Sequence, residues 1–180
     1  MLFRKLPKGE QKMRILVDGY NLIRRVPELA GFEQVDLEEG RKYLIQELSR
    51  YRAGKGHRVT VVFDGAGSVH LGEGRERERG ITVIYSRQGS SADDVIASIC
   101  RESGADLVVT GDRDLMNRAE KAGVPSVEPE RFWERVEEER YRNLKGLEPG
   151  DDDEDDGPIG RPGKKLSKKA RKAQSRLSKL

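Results

Sequence analysis

The chain has 180 residues, which is enough for one domain with its own hydrophobic core. Charged residues make up 37% of it, and no apolar run approaches the roughly 20 residues that cross a bilayer, so we expect neither a membrane-spanning protein nor a membrane partner. The formal net charge of +3 lies in residues 151–180, which carry nine basic and six acidic side chains, whereas residues 1–150 carry 26 of each sign.

The first residues and the single cysteine bear on location. Residues 1–12 contain basic side chains but no apolar stretch of the kind that a secretory signal requires, and we interpret them as an N-terminal extension. Cys100 cannot form an internal disulfide, which is typical of proteins in a reducing compartment. We therefore expect a cytoplasmic protein.

Residues 13–147 alternate between short β-branched runs and segments with helical periodicity. The predicted strands are residues 14–18, 58–64, 81–86, 105–111 and 123–128. The predicted helices are residues 36–56, 90–104, 112–123 and 129–144, and residues 65–80 are predicted to be an exposed loop. This alternation predicts one α/β domain with a mostly parallel central sheet of about five strands and helices on both faces.

Several local signals refine these predictions. Asp36 is the expected N-cap of the first predicted helix, and Ser90 or Ser91 is that of the second. The two histidines, His57 and His70, are isolated from other candidate catalytic residues. We expect a surface location for both.

From residue 148 onward the apolar pattern ends. The stretch DDDEDD and its Gly- and Pro-containing flanks are predicted to be a disordered acidic linker. In the basic end of the chain, alanines and leucines recur at helical spacing, which predicts either an amphipathic helix that forms on a polyanion or a solvated disordered tail. The candidate residues for binding a polyanion in this tail are Lys168, Lys169, Arg171 and Lys172.

Acidic residues recur where predicted strands end or helices begin. They are Asp18, Asp64, Asp93, Asp94, Asp112 and Asp114. Ligand sites in open parallel sheets lie outside the carboxyl ends of the strands, where the strand order reverses. If strands 14–18 and 105–111 are neighbours across that reversal, Asp18 and Asp112 face one crevice.

Such a cluster predicts a cation, because carboxylates that lie close together either share protons or hold a positive charge. An all-oxygen donor set without nearby His or Cys favours Mg²⁺ or Mn²⁺. Metal ions of this kind suit phosphate chemistry, and Asn21 adds a neutral amide that orients water or phosphate. Gly19 is interpreted as permitting a tight turn after Asp18.

Each acidic residue also has a structural interpretation. Asp18 fits a strand cap, Asp112 fits the N-cap of the helix that follows, and Ser90 with Asp93 resembles a capping box. Several strand-end acids on one edge are nevertheless hard to explain as independent caps. The dinucleotide fingerprint and the phosphate-binding loop that would indicate other enzymes are absent from the sequence.

Four motifs carry a family resemblance: ILVDGYNLI, VVFDG, SSADDVI and VVTGDRDL, in this order. Together they resemble the NYN domain family of PIN-like nucleases, with the closest likeness to its YacP-like branch, over about residues 13 to 145. The resemblance implies a PIN-like α/β/α sandwich and a metal-dependent endoribonuclease. Its acidic residues match Asp18, Asp93 and Asp112, and its asparagine matches Asn21.

The resemblance also implies a reaction and partners. Asp94 and Asp114 are further candidate metal ligands, and cleavage would leave 5′-phosphate and 3′-hydroxyl ends on single-stranded RNA. The YacP-like branch is linked to ribosome-associated messenger RNA, which implies the ribosome as a partner and a role in mRNA decay. Arg24, Arg25 and Arg87 are candidate phosphate contacts. The alternative is a non-catalytic RNA- or ribosome-binding module with the same fold.

Overall fold

The computed structural model describes residues 12–65, 74–87 and 89–145 of the chain. The strands are β1 (Arg14–Asp18), β2 (Arg58–Phe63), β3 (Arg75–Glu78), β4 (Ile81–Tyr85), β5 (Leu107–Val109) and β6 (Ser126–Val127). The helices are α1 (Gly19–Arg25), α2 (Pro27–Val35), α3 (Leu37–Lys55), α4 (Ala92–Arg101), α5 (Arg113–Lys121) and α6 (Pro129–Lys145). The predicted tail of residues 148–180 and most of the predicted N-terminal extension lie outside the described residues.

The six strands form one sheet in the order β3-β4-β2-β1-β5-β6. Every neighbouring pair is parallel except β3 with β4. Val17 of β1 lies opposite Val61 of β2 on one side and Val109 of β5 on the other. The chain therefore leaves β1 in one direction and returns beside it at β5, which creates the predicted reversal of strand order between these two strands.

Helices cover both faces of the sheet, as predicted. One face, which includes Val17 and Val61, packs against α1, α2, α3 and α6. The other face, which includes Leu16 and Val108, packs against α4 and α5. Alternate residues of β1 thus enter opposite cores, and each fully buried aliphatic side chain stabilises the fold by about 1.5–3 kcal/mol.

The predicted loop of residues 65–80 is partly a strand. Arg75–Glu78 form β3, which pairs antiparallel with β4 at the edge of the sheet. All four side chains of β3 are exposed, so the sequence lacks the apolar alternation by which strands are recognised. Arg79 at φ 49° and Gly80 at φ 84° form the turn of this hairpin, and the left-handed conformation suits glycine.

Two helices that the sequence did not predict, α1 and α2, follow β1 directly. The prediction that Gly19 makes a tight turn is wrong, because α1 begins at Gly19 and Asp18 is its N-cap. Glycine is required there for a different reason. A Cβ atom on Gly19 would lie 2.3 Å from a ring carbon of Phe63, so the absent side chain lets α1 approach β2.

Of the local predictions for Asp36 and His57, the first is confirmed and the second is wrong. Asp36 caps α3 by accepting from the backbone N–H groups of Glu38 and Glu39, as predicted. His57 is buried rather than at the surface: its Nδ1 accepts from the backbone N–H of Met13 at 3.3 Å. His70 lies outside the described residues. Among the residues that the structure describes, no helix is long and apolar enough to span a bilayer.

Candidate active site

Asp18 ends β1 and stands at the point where the strand order reverses. Its side chain is 6% exposed. One carboxylate oxygen accepts from the backbone N–H of Asn21 at 3.3 Å, and the other accepts from the hydroxyl of Thr110 at 3.1 Å. Burial raises the pKa of Asp18 from 3.8 to about 6, against the opposing effect of these two hydrogen bonds.

Asp112 reaches the same edge from β5. It is the N-cap of α5, and its Oδ1 accepts from the backbone N–H groups of Asp114 and Leu115 at 2.8 and 3.0 Å. Its own backbone N–H donates to Thr110 Oγ1 at 3.2 Å. Thr110 therefore ties Asp18 to the backbone of Asp112, and the capping interpretation of Asp112 holds alongside its position at the site.

Asp93 enters from the first turn of α4. The predicted capping box of Ser90 with Asp93 is wrong, because Ser91 is the N-cap and Asp94 completes the box. Asp94 also forms an ion pair with Arg118 at 2.8 Å. Asp93 is therefore not needed to cap the helix and lies in the electrostatic field of the site.

The three carboxylates influence one another. Asp93 and Asp112 both raise the pKa of Asp18, although burial is the larger cause. Burial also raises the pKa of Asp93, and the negative charge of Asp112 adds to this effect. The edge therefore carries three acidic groups that interact unfavourably when all are ionised.

The donor chemistry of this cluster fits a hard divalent cation, because every candidate ligand is a carboxylate oxygen. Within the described ranges, however, no three His, Cys, Asp or Glu side chains are already arranged to hold a metal ion. The carboxylates of Asp18, Asp93 and Asp112 are therefore electrostatic neighbours rather than a closed cage.

Asn21 links α1 to the loop between β5 and α5. Its Oδ1 accepts from the backbone N–H of Gly111 at 2.7 Å. Because that partner is a donor, the orientation of the amide is determined, and the NH₂ group remains as the donor end of the side chain. Asn21 thus places a neutral hydrogen-bond donor beside the carboxylates.

The predicted site residues other than the carboxylates and Asn21 lie in several different surroundings. Arg25 forms ion pairs with Glu128 at 3.2 Å and Glu130 at 2.9 Å, so it joins α1 to the start of α6. Arg24 lies over the ring of Tyr20, 6.0 Å from its centroid. Arg87 and Asp114 are exposed, and the four tail residues Lys168, Lys169, Arg171 and Lys172 lie outside the described residues.

Two hydroxyl residues at the site were missed by sequence reasoning. Thr110 is fully buried between Asp18 and Asp112. Ser86 donates to Asp64 Oδ1 at 3.1 Å and accepts from the backbone N–H of Gly65 at 3.0 Å. Both residues directly follow a strand, and a hydroxyl in that position beside a strand-end acid is the signal that could have indicated them.

Comparison with known proteins adds a family. The family model described as YacP-like NYN domain matches residues 15–178, which extends past residue 145, the end of the region that the sequence resemblance covers. The curated relative called uncharacterized protein YacP, from Bacillus subtilis (strain 168), is 36% identical over 90 residues, which are 48% of this chain and 51% of the relative. The matched region thus spans about half the length of that relative.

Solved structures show the same fold. The crystal structure of Rae1 (YacP) from Bacillus subtilis superposes with a TM-score of 0.63 and 27% identity over 74% of this chain and 78% of that one. A mutant of the same protein gives a TM-score of 0.62 and 26% identity over 74% of this chain and 80% of that one. These likenesses confirm the predicted PIN-like α/β/α fold.

Proposed function

This chain belongs to the YacP-like NYN domain family, whose domains are of the nuclease type, and we propose that it is a metal-dependent endoribonuclease. The observation that carries the proposal is the buried carboxylate of Asp18, with Asp93 and Asp112 beside it at the reversal of strand order. Buried acids with raised pKa values at such a crevice are typical of functional sites.

Asp18, Asp93 and Asp112 are the residues that would hold Mg²⁺ or Mn²⁺. The ion would supply Lewis-acid stabilisation of the charge on the phosphoryl group and a water of lowered pKa. Asp18 takes part in its ionised form, which the Thr110 hydroxyl and the Asn21 backbone N–H both favour. Asp94 and Asp114 remain secondary candidates, since Asp94 is engaged by Ser91 and Arg118.

Asn21 is proposed to position the scissile phosphate or the attacking water. Its Oδ1 is engaged by Gly111, so its NH₂ group donates. Hydrolysis would break the bond to the 3′ oxygen and leave 5′-phosphate and 3′-hydroxyl ends. Among the arginines, Arg24 and Arg87 are exposed and proposed to contact phosphates, whereas Arg25 would have to leave Glu128 and Glu130 to do so.

The proposed substrate is inferred from the family to which the chain belongs. We propose single-stranded RNA, with ribosome-associated messenger RNA in the cytoplasm as the physiological target and the ribosome as partner. The basic tail with Lys168, Lys169, Arg171 and Lys172 would add salt-sensitive affinity for RNA.

The test is an RNA cleavage assay with Mg²⁺ or Mn²⁺ beside EDTA. We expect wild type to cut single-stranded RNA only with the metal and Asp18→Asn to lose at least about a hundredfold in rate, as expected for a group that acts in the transition state. Asp36→Asn is the matched control, since Asp36 caps α3 and asparagine caps equally well.

Two results would contradict the proposal. Equal cleavage by wild type and Asp18→Asn would remove the site from the reaction. Binding without cleavage on every RNA tried, including ribosome-bound message, would instead indicate the non-catalytic RNA- or ribosome-binding module.

A further inference from the structure

A cavity of about 1060 Å³ lies on the α4 face of the sheet, and none of the three carboxylates lines it. Helix α4 packs over β1 and β2. The cavity is lined by α4, by these strands, by the β3–β4 hairpin, and by Arg52 of α3 with residues that follow that helix. Thr60 and Thr82, which lie opposite each other in β2 and β4, belong to its lining. We call this cavity the basic groove, because most of the charged side chains that line it are basic.

The basic and acidic side chains of β3 lie on opposite faces of the sheet. Arg75 lies opposite Ile84 and Arg77 opposite Thr82, and all four residues line the basic groove. Because side chains alternate along a strand, Glu76 and Glu78 point to the other face of the sheet. The sequence RERE, which is electrically neutral overall, thus presents only positive charge to the groove.

Seven Lys and Arg side chains line the groove, against two acidic ones, Asp94 and Glu102. Asp94 is already paired with Arg118, and Glu102 accepts from the hydroxyl of Ser98 at 3.3 Å. Arg14 is likewise paired, with Asp106. Within the part of the chain that the structure describes, five lining arginines form no ion pair: Arg52, Arg58, Arg75, Arg77 and Arg101.

Unpaired like charges around one cavity repel one another and attract a polyanion. The lining offers small hydroxyl and aliphatic groups, and its one ring is that of His57, which is itself buried. Bases therefore have no exposed aromatic platform on which to stack. These features suit a phosphate backbone recognised by charge, which carries no sequence preference.

The groove reaches the start of α4, the helix turn that also carries Asp93 of the candidate active site. Ser90 and Asp94 line it at the start of α4, and Asp93 of the same turn belongs to the carboxylate cluster. From the level of Asp18 to that of Arg14, β1 extends for about 13 Å at about 3.3 Å per residue.

We propose that the basic groove binds the backbone of the RNA strand next to the cleavage point and leads it from the carboxyl edge of the sheet to the opposite edge. This rests on the proposed function for the identity of the polyanion. The rival occupant is the acidic run of residues 151–156 of the chain itself. RNA is favoured because the groove ends at the first turn of α4, next to the carboxylate cluster where an RNA substrate has to lie.

The experiment compares two double variants on the same strand. Arg75→Gln with Arg77→Gln removes charge from the groove, whereas Glu76→Gln with Glu78→Gln changes the opposite face of β3 and serves as the control. Both pairs are exposed, so the hairpin keeps its backbone hydrogen bonds to β4. The full chain is titrated in EDTA, which prevents metal-dependent cleavage, with a labelled unstructured RNA of about 20 nucleotides over a range of salt.

We expect the arginine variant to bind RNA about tenfold more weakly, with a salt dependence smaller by about 1.4 in log–log slope, since each lost phosphate contact contributes about 0.7. The glutamate variant should bind at least as tightly as wild type. Each is also made with the six acids of residues 151–156 replaced by Asn or Gln.

Unchanged affinity and slope in the arginine variant with the acidic run neutralised would overturn the proposal. If the arginine change is silent only when the acidic run is intact, the run occupies the groove in the free chain, and RNA does not displace it, which also overturns the proposal. Since binding is measured without metal, failure of the groove is distinct from failure of cleavage: RNA that binds here and is never cut would overturn the proposed function alone.

Discussion

At the scale of single residues, Asp18 is a carboxylate that the fold buries at a cost. Burial raises its pKa from 3.8 to about 6, so the folded state holds the proton more tightly than the unfolded chain. The cost of keeping the group ionised is absent below about pH 4, develops as the pH rises towards 6 and is complete above it. At neutral pH it corresponds to about 2–3 kcal/mol.

We therefore predict that Asp18→Asn stabilises the metal-free protein while it abolishes cleavage. The free energy of unfolding should rise by about 2–3 kcal/mol at pH 7.5 and change little near pH 4. Urea denaturation in EDTA at both pH values measures this, with Asp36→Asn as control. A destabilised Asp18→Asn protein at pH 7.5 would show that burial of the ionised Asp18 carboxylate does not destabilise the folded protein.

Thr110 connects Asp18 to the backbone of Asp112. Its buried hydroxyl donates to Asp18 and accepts from the backbone of Asp112, so Thr110→Val removes both bonds while keeping the shape. The pKa of Asp18 should rise further from about 6, which moves the activity–pH profile upward and lowers the ionised fraction, and with it the rate, by about two- to tenfold at pH 7. Thr110→Ser retains the hydroxyl and should behave as wild type. Equal pH profiles for all three proteins would leave Thr110 without this role.

The sequence predicted which acidic residues lie near one another at the edge of the sheet. It did not predict the hydrogen bonds that fix their positions. Asp18, Asp93 and Asp112 follow from strand ends and helix starts, because parallel strands end at one edge. Thr110 was missed because a threonine after a strand is informative only together with the strand-end acids that it contacts in the fold, Asp18 and Asp112. The capping box was assigned one residue too early, at Ser90, because adjacent serines and aspartates give the same signal in both registers.

At the scale of the elements, the approach of α1 to β2 depends on Gly19. A Cβ atom there would meet the Phe63 ring at 2.3 Å, whereas a Cβ atom on Gly31 of α2 would meet nothing within 4 Å. The two glycines therefore form a matched pair inside neighbouring helices.

We predict that Gly19→Ala destabilises the protein by about 1–3 kcal/mol through overpacking. Gly31→Ala should be neutral or stabilise by up to about 1 kcal/mol, because alanine is the better helix former. Thermal or urea unfolding of the two variants decides this. Equal effects would show that Phe63 moves away without cost and that the close packing of α1 is not required.

The elements that the sequence failed to predict share a physical cause. Helix α1 has only seven residues, fewer than the window of about 11 residues in which helical periodicity is recognised, and β3 exposes all four of its side chains. The long, periodic elements were placed well: α3 begins after its predicted cap, Asp36, and β2 ends within a residue of the prediction. Short and exposed elements depend on tertiary partners, here Phe63 for α1 and β4 for β3.

At the scale of the whole molecule, the charge divides between the domain and the tail. Residues 1–150 carry equal numbers of acidic and basic side chains, and residues 151–180 hold the excess of basic ones. Within the neutral domain, the positive charges that line the basic groove and the carboxylates at the site edge separate into two regions that meet at the start of α4. The local arrangement therefore matters more for RNA than the net charge.

Truncation after Gly150 should weaken RNA binding and reduce its salt dependence, because nine basic residues are removed. The metal-dependent rate on a short RNA that saturates the domain should remain within about twofold, because Asp18, Asp93, Asp112 and Asn21 are all retained. Filter binding and single-turnover cleavage measure the two effects. An unchanged salt-dependent affinity would contradict a role for the tail in RNA binding.

We propose that Asp18, Asp93 and Asp112 form one site for a divalent cation. The most direct measurement is a crystal structure of the Mn²⁺-soaked protein with anomalous scattering recorded at the manganese edge. We expect an anomalous peak at the carboxyl edge of the sheet, bound by at least two of the three carboxylates directly and by the third directly or through water, and absent in Asp18→Asn. A saturated crystal with no manganese at this edge, or with manganese held only by other residues, would contradict the account.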